Sequence, residues 1–147
     1  MPQLLWIEDD ARQLKHYVAP LERAGWAISI AGSAKEAFEA LDAIESYDVV
    51  LLDLLLPSKL PEYVEYDHPG IAILEHVRRD LDSRIPVVVF TVVWTPGELD
   101  KVQALGVNAI LSKPVVQRRL MQAVYDAIGE ELPEPEKLPA EVPDDWR

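Results

Sequence analysis

Residues 48-DVVLLDLLLP-57 place one carboxylate, Asp53, in a run whose other members, Asp48 apart, are apolar or proline. A run of four apolar residues with two valines, Val49 to Leu52, has the composition of a strand covered on both faces, as in a parallel sheet. An aspartate at the end of such a strand loses water on most sides. It must find cationic partners or give up its charge.

Similar short apolar runs recur at Leu4 to Ile7, Trp26 to Ile30, Pro86 to Phe90 and Ala109 to Leu111. Segments of helical period separate them, such as Leu14, Val18, Leu21 in the first and Leu120, Val124, Ala127 in the last. The alternation predicts an α/β fold of five parallel strands and five helices. Helix starts are marked by Ser33 with Glu36, and by Thr95 with Pro96 and Glu98. Gly25 and Gly106 mark the ends of the first and fourth helices, and Pro20 predicts a kink in the first by removing a backbone bond toward His16.

Two segments break the pattern. PSKLPEYVEYDHPG, from 57 to 70, is too long for an ordinary strand-to-helix loop and reads as an insertion over 57–69. From 130 to 147 the chain is acidic and proline-rich, with seven acids against two bases. That composition predicts an extended tail after a domain spanning 1–129.

The composition excludes several classes. A net charge of −12 repels nucleic acid and anionic membranes. With no cysteine, neither a disulfide framework nor a thiolate metal site can form. No apolar run approaches the roughly 20 residues of a membrane span, and the acidic MPQLLWIEDD start does not suit a signal peptide, so the expected location is cytoplasmic.

In a parallel α/β sheet ligands bind at the carboxyl ends of the strands. There the sequence delivers Glu8, Asp9 and Asp10 after the first strand, Asp53 after the third, Thr91 at the fourth, and Ser112, Lys113 and Pro114 at the fifth. Carboxylates within about 5 Å repel by about 3 kcal/mol per pair at an effective dielectric near 20, so the cluster calls for a cation. Hard oxygen donors without histidine or cysteine point to Mg²⁺. Asp53 can then act as a nucleophile toward phosphorus, with the Lys113 ammonium and the Thr91 hydroxyl holding phosphoryl oxygens. Taken singly, each residue also has an ordinary reading: Asp53 as a turn residue, Glu8 to Asp10 as partners of a helix dipole, Thr91 as a β-branched strand residue. Four strand ends with matching chemistry favour the joint reading.

The pattern LLWIEDD, DVVLLDLLLP, VVVFT and GVNAILSKP resembles the receiver domain of two-component response regulators over residues 1 to about 129. The resemblance implies a flavodoxin-like sheet of strand order 2-1-3-4-5, metal binding by Glu8, Asp9, Asp53 and the backbone carbonyl of Leu55, phosphorylation of Asp53, and a cis bond between Lys113 and Pro114. It implies phosphate from a sensor histidine kinase or histidine phosphotransfer protein, self-catalysed phosphorylation and dephosphorylation rather than turnover as an enzyme, and an unknown downstream protein. A homodimer is left open.

Three features depart from the family. Ile110 stands where an aromatic switch residue is usual, Val92 and Val93 come after Thr91 where a small residue is common, and the 57–69 insertion begins beside the site. The valine bulk predicts slow dephosphorylation. No helix-turn-helix or catalytic pattern comes after residue 129, so the expected role is a switch or relay without its own output domain, signalling through the fourth helix, fifth strand and fifth helix, with Arg118 and Arg119 as contacts.

The alternative function is a receiver-like scaffold that is never phosphorylated. An aspartyl-phosphate phosphatase would want an acid at Leu55, and an FMN carrier a glycine- and hydroxyl-rich loop where EDDARQLK stands. The three histidines show no metal spacing, and His68 is placed near the start of the third helix. Tyr63 and Tyr66 suit a docking surface, a lid or a packed loop, and Trp146 suits an anchor for the tail or a free terminus.

Overall fold

A computed structural model describes residues 1–56, 68–92 and 94–133. The expectations for most of the insertion, for Tyr63, Tyr66, Val93 and Trp146, and for the tail beyond 133 lie outside the described residues.

The strands are β1 (Gln3–Ile7), β2 (Ala27–Ala31), β3 (Val49–Leu52), β4 (Val87–Thr91) and β5 (Ala109–Ser112). They form one parallel sheet of order β2-β1-β3-β4-β5, the order the resemblance implied. The helices are α1 (Ala19–Arg23), α2 (Ala34–Leu41), α3 (Pro69–Glu75), α4 (Pro96–Ala104) and α5 (Gln117–Ala127). No helix among the described residues is long and apolar enough to cross a membrane.

Alternation along the central strands builds two cores. Leu5, Ile7, Val50, Leu52, Val87 and Val89 pack under α2, α3 and α4. Their neighbours Leu4, Trp6, Val49, Leu51, Val88 and Phe90 pack under α1 and α5. Both faces of β1, β3 and β4 are therefore dry, which is why those strands are apolar throughout.

The caps form as expected. Ser33 Oγ accepts the Glu36 amide at 3.1 Å, and Thr95 with Glu98 makes a reciprocal capping box. Gly25 and Gly106 take left-handed φ values of 95° and 74° just beyond α1 and α4.

The first helix departs from expectation. Pro20 does not kink a long helix but sits in the first turn of a short one, where its missing N–H costs nothing. The preceding residues form turns and a 3₁₀ segment, Lys15–Tyr17. Asp10 therefore opens no helix, and the helix-dipole reading of Glu8 to Asp10 fails with it.

His68 does lie at the N-cap of α3, but its side chain caps nothing there. It instead meets Glu98, with Nδ1 2.7 Å from Oε2, while its backbone N–H donates to the same oxygen at 2.7 Å. Glu98 is buried at the start of α4, so this pair ties the entry of α3 to α4. Burial alone would raise the Glu98 carboxyl; hydrogen bonds from the His68 and Thr95 amides and the His68 ring outweigh it and leave it below its ordinary value of 4.5. A depressed acid contributes stability that is full above 4.5 and lost as pH falls through the folded-state value. Glu98→Gln is expected to be less stable than wild type in urea melts at pH 7, with the gap closing as the pH drops below the ordinary carboxyl range.

Candidate functional site

Parallel register brings the chemistry together. Ile7 pairs with Leu52, so Glu8 and Asp53 leave adjacent strands at one level. Thr91 pairs with Ser112, so Lys113 emerges beside the end of β4, its amide donating to the Thr91 carbonyl at 2.9 Å. The ladder runs one step past the strands, with the Asp53 amide donating to the Ile7 carbonyl at 3.0 Å. That bond fixes the Asp53 backbone at the sheet edge.

The side chains converge there. Lys113 Nζ donates to Glu8 Oε1 and to Asp53 Oδ2, the latter at 3.0 Å, and lies 5.3 Å from the centre of the Phe90 ring. The other oxygens are held by backbone: the Asp10 amide donates to Glu8 Oε2 at 3.2 Å and the Leu55 amide to Asp53 Oδ1 at 3.0 Å. Glu8 and Asp53 are 1% and 4% exposed, so the cationic partner demanded by the apolar run is Lys113. Thr91 is fully buried at the end of β4.

Charge is finely balanced. Burial pushes the Glu8 carboxyl up to about 7, the Asp53 charge adds to this, and Lys113 opposes it. Burial works to lower the Lys113 ammonium, but its bonds to Glu8 and Asp53 outweigh that and raise it above its ordinary value. Lysine therefore stays charged between the acids.

Oxygens of Glu8, Asp9 and Asp53 all come within 4.8 Å of one another. Fully ionised, these three carboxylates against one ammonium leave two negative charges, and the donors are all hard oxygen. A small divalent cation such as Mg²⁺ fits that set. The histidines stand apart: His68 meets Glu98, and His76 Nδ1 lies 2.9 Å from Asp80.

A cavity of about 600 Å³ opens over the cluster. Glu8, Asp9, Asp10, Asp53 and Lys113 line it with Leu55, Val92 and Pro114. The Lys113–Pro114 bond is cis, as the resemblance implied.

Two residues here were not singled out from sequence. Tyr17 lines the cavity, stacks edge-on against Phe90 with centroids 4.9 Å apart, and accepts the Val115 amide on its hydroxyl at 3.3 Å. Its one local signal is a place three residues after Leu14, which reads as core. The other is Gly70, in the first turn of α3. A Cβ there would lie 2.5 Å from both the Asp53 carbonyl oxygen and Leu54 Cα. Only glycine lets α3 approach the backbone that carries Asp53. Gly70→Ala is expected to cost about 1–3 kcal/mol in chemical denaturation, because backbone on one side or the other must yield.

Comparison with known proteins places this geometry among relatives. A family model for the response regulator receiver domain matches residues 4–125. The transcriptional regulatory protein PmrA of Pectobacterium parmentieri is 33% identical over 124 residues, 83% of this chain and 50% of PmrA. The sensory/regulatory protein RpfC of Xanthomonas campestris pv. campestris is 30% identical over 109 residues, 72% of this chain and 14% of RpfC. The chain thus spans half or less of these relatives. In shape it is similar to a CheY-like response regulator receiver domain protein from Methanospirillum hungatei JF-1, with a TM-score of 0.72 at 22% identity, covering 87% of this chain and 94% of that one.

Proposed function

The chain belongs to the response regulator receiver domain family, and from that premise we propose that it accepts a phosphoryl group on Asp53 from the phosphohistidine of a sensor kinase or phosphotransfer protein. The observation that carries the reading is the Lys113 ammonium held between buried Glu8 and Asp53 beneath an open cavity. That kinases stand among the relatives, including sensor histidine kinase AruS of Pseudomonas aeruginosa, supports the donor class.

In the transfer, a carboxylate oxygen of Asp53 attacks phosphorus, the phosphorus–nitrogen bond breaks, and the histidine nitrogen leaves with its electron pair. The Leu55 amide on Oδ1 fixes the rotation of the carboxylate. Lys113, already 3.0 Å from Oδ2, keeps its charge next to the incoming oxygens, and the Thr91 hydroxyl takes another of them. Glu8, Asp9, Asp53 and the Leu55 carbonyl would hold Mg²⁺, which when bound neutralises charge on a transferring phosphoryl group. The acyl phosphate then works as a switch or relay signal to a further protein.

Intact mass after incubation with acetyl phosphate tests the reading. The expected result is a gain of one phosphoryl group with Mg²⁺ and none with EDTA. Failure with both acetyl phosphate and a phosphorylated histidine kinase would favour the second reading, a scaffold that is not phosphorylated. Ile110 favours that reading, since it packs half-buried against the core at the position where the family usually has an aromatic switch residue.

Val92 bears on lifetime. It is 53% exposed and lines the cavity together with Asp53 and Lys113, adding branched apolar bulk there. Slow hydrolysis of the acyl phosphate is expected, with Val92→Ala accelerating it several-fold in a time course of phosphoprotein mass; a wild-type half-life of seconds would contradict this.

A further inference from the structure

A second concavity, of about 470 Å³, lies between the edge strand β5 and α5, on the flank away from the acidic cluster. Its floor is small and apolar, Ala109, Leu111, Ala123 and Ala127, and Arg118 and Arg119 stand on its rim. Both arginines are exposed. Asp126, on the same wall, is engaged by Gln122 Nε2 at 2.7 Å.

The chain itself returns to this place. After α5 it reverses through Gly129, at φ 73°, and the Glu130 amide donates to the Tyr125 carbonyl at 3.0 Å. Leu132 packs against the core that α5 covers. The Pro133 carbonyl then accepts Arg118 Nη2 at 3.0 Å. A carbonyl beyond the last turn of α5 thus reaches a side chain of its first turn, so the chain doubles back along the helix.

Beyond Pro133 the sequence is EPEKLPAEVPDDWR, five acids and two bases, with Leu138, Val142 and Trp146 spaced by four. We propose that residues 134–147 bind this β5/α5 groove in cis, their carboxylates facing Arg118 and Arg119 and an apolar side chain seated over the alanine floor. The charges are complementary and the starting point is already at the rim. Reach is no obstacle: α5 is about 16 Å long at 1.5 Å per residue, and 14 extended residues span up to about 46 Å. An alanine floor leaves room for a side chain the size of tryptophan. The four prolines of 130–147 disfavour a helix and suit an extended ligand with little entropy to lose. The segment would compete with any partner that uses the same surface. The contact needs no phosphoryl chemistry and stands or falls apart from it.

Because the chain has no cysteine, Asp145→Cys gives the 147-residue protein a single site for a nitroxide label. Strong relaxation enhancement of the amides of Ala109, Leu111, Ala123 and Ala127 is expected, several-fold above that on the α2 face, and weaker at 500 mM NaCl. Arg119→Glu should abolish most of it while leaving the Arg118 bond to Pro133 in place. Enhancement spread evenly over the surface, or unchanged by Arg119→Glu, would overturn the proposal. Enhancement of isotope-labelled chains by spin-labelled, isotope-free chains in a mixed sample would assign the groove to a second copy and overturn the cis contact.

Discussion

Asp53→Asn should eliminate the Mg²⁺-dependent gain of a phosphoryl group while leaving the protein folded. Asparagine keeps the shape of aspartate and can still accept the Leu55 amide through its side-chain oxygen, a bond 3.0 Å long in the wild type. It lacks the anionic oxygen that must attack phosphorus, and an amide does not substitute for it as a nucleophile. Stability should not suffer. The carboxylate at 53 raises the cost of ionising Glu8, so removing it relieves repulsion inside a buried cluster. Lys113 loses its bond to Oδ2, where the amide nitrogen would stand and cannot accept, but it keeps Glu8 as its partner. The expected outcome is a thermal midpoint equal to or above that of the wild type, with no phosphoprotein in the intact mass spectrum. Phosphoryl uptake by the variant would move the acceptor elsewhere.

The second large effect lies far from that site. Arg78→Leu is expected to destabilise the domain by about 3–5 kcal/mol, a large part of the 5–15 kcal/mol typical of domains. The side chain is 5% exposed, in a π-helical turn spanning His76–Asp80 after α3. Its guanidinium donates to four backbone carbonyls: Leu105 at 2.7 Å, Ser83 at 2.9 Å, Ile85 at 2.8 Å and Gly106 at 3.2 Å. It thereby joins the end of α3, the approach to β4 and the C-terminus of α4. Leucine would leave those oxygens buried without donors, each costing about 1–3 kcal/mol before relaxation or water entry. Arg78→Lys should recover only part of the loss, because one ammonium cannot match a planar fork of five donors. Urea midpoints of the three proteins would measure this. Equal midpoints for wild type and Arg78→Leu would mean that water satisfies the carbonyls.

Arg78 also marks where the sequence becomes unreadable. Arg78 and Arg79 are chemically identical neighbours in HVRRD, yet Arg79 is 70% exposed and pairs loosely with Glu75 at 3.7 Å. Helical spacing from Ile71 and Leu74 puts Arg78 on the apolar face, but nothing local names the carbonyls it meets. The strands, by contrast, carry their own evidence, since burial on both faces leaves an unbroken apolar run and the strand ends then fall at Glu8, Asp53, Thr91 and Lys113. The caps are legible for the same reason, because Ser33 with Glu36 and Thr95 with Glu98 act over three residues.

Local rules mislead where they meet a distant constraint. Pro20 is incompatible with a helix interior, but the chain answers by starting α1 there instead of bending. His68 stands at the entry of α3 as its position suggests, while its partner Glu98 lies 30 residues away.

The alternation of elements, their parallel sheet and the convergence of acids, hydroxyl and lysine on one edge are legible along the chain, because periodicity and caps are short-range consequences of backbone geometry. Packing between distant segments settles that Lys113 bridges Glu8 across 105 positions, that Arg78 meets carbonyls of Ser83, Ile85, Leu105 and Gly106, that Gly70 leaves room for the Asp53 backbone, and that the chain after α5 turns back to Arg118. A buried charge is satisfied by whatever the fold brings within about 3 Å, and that neighbour is set by packing rather than by position along the chain.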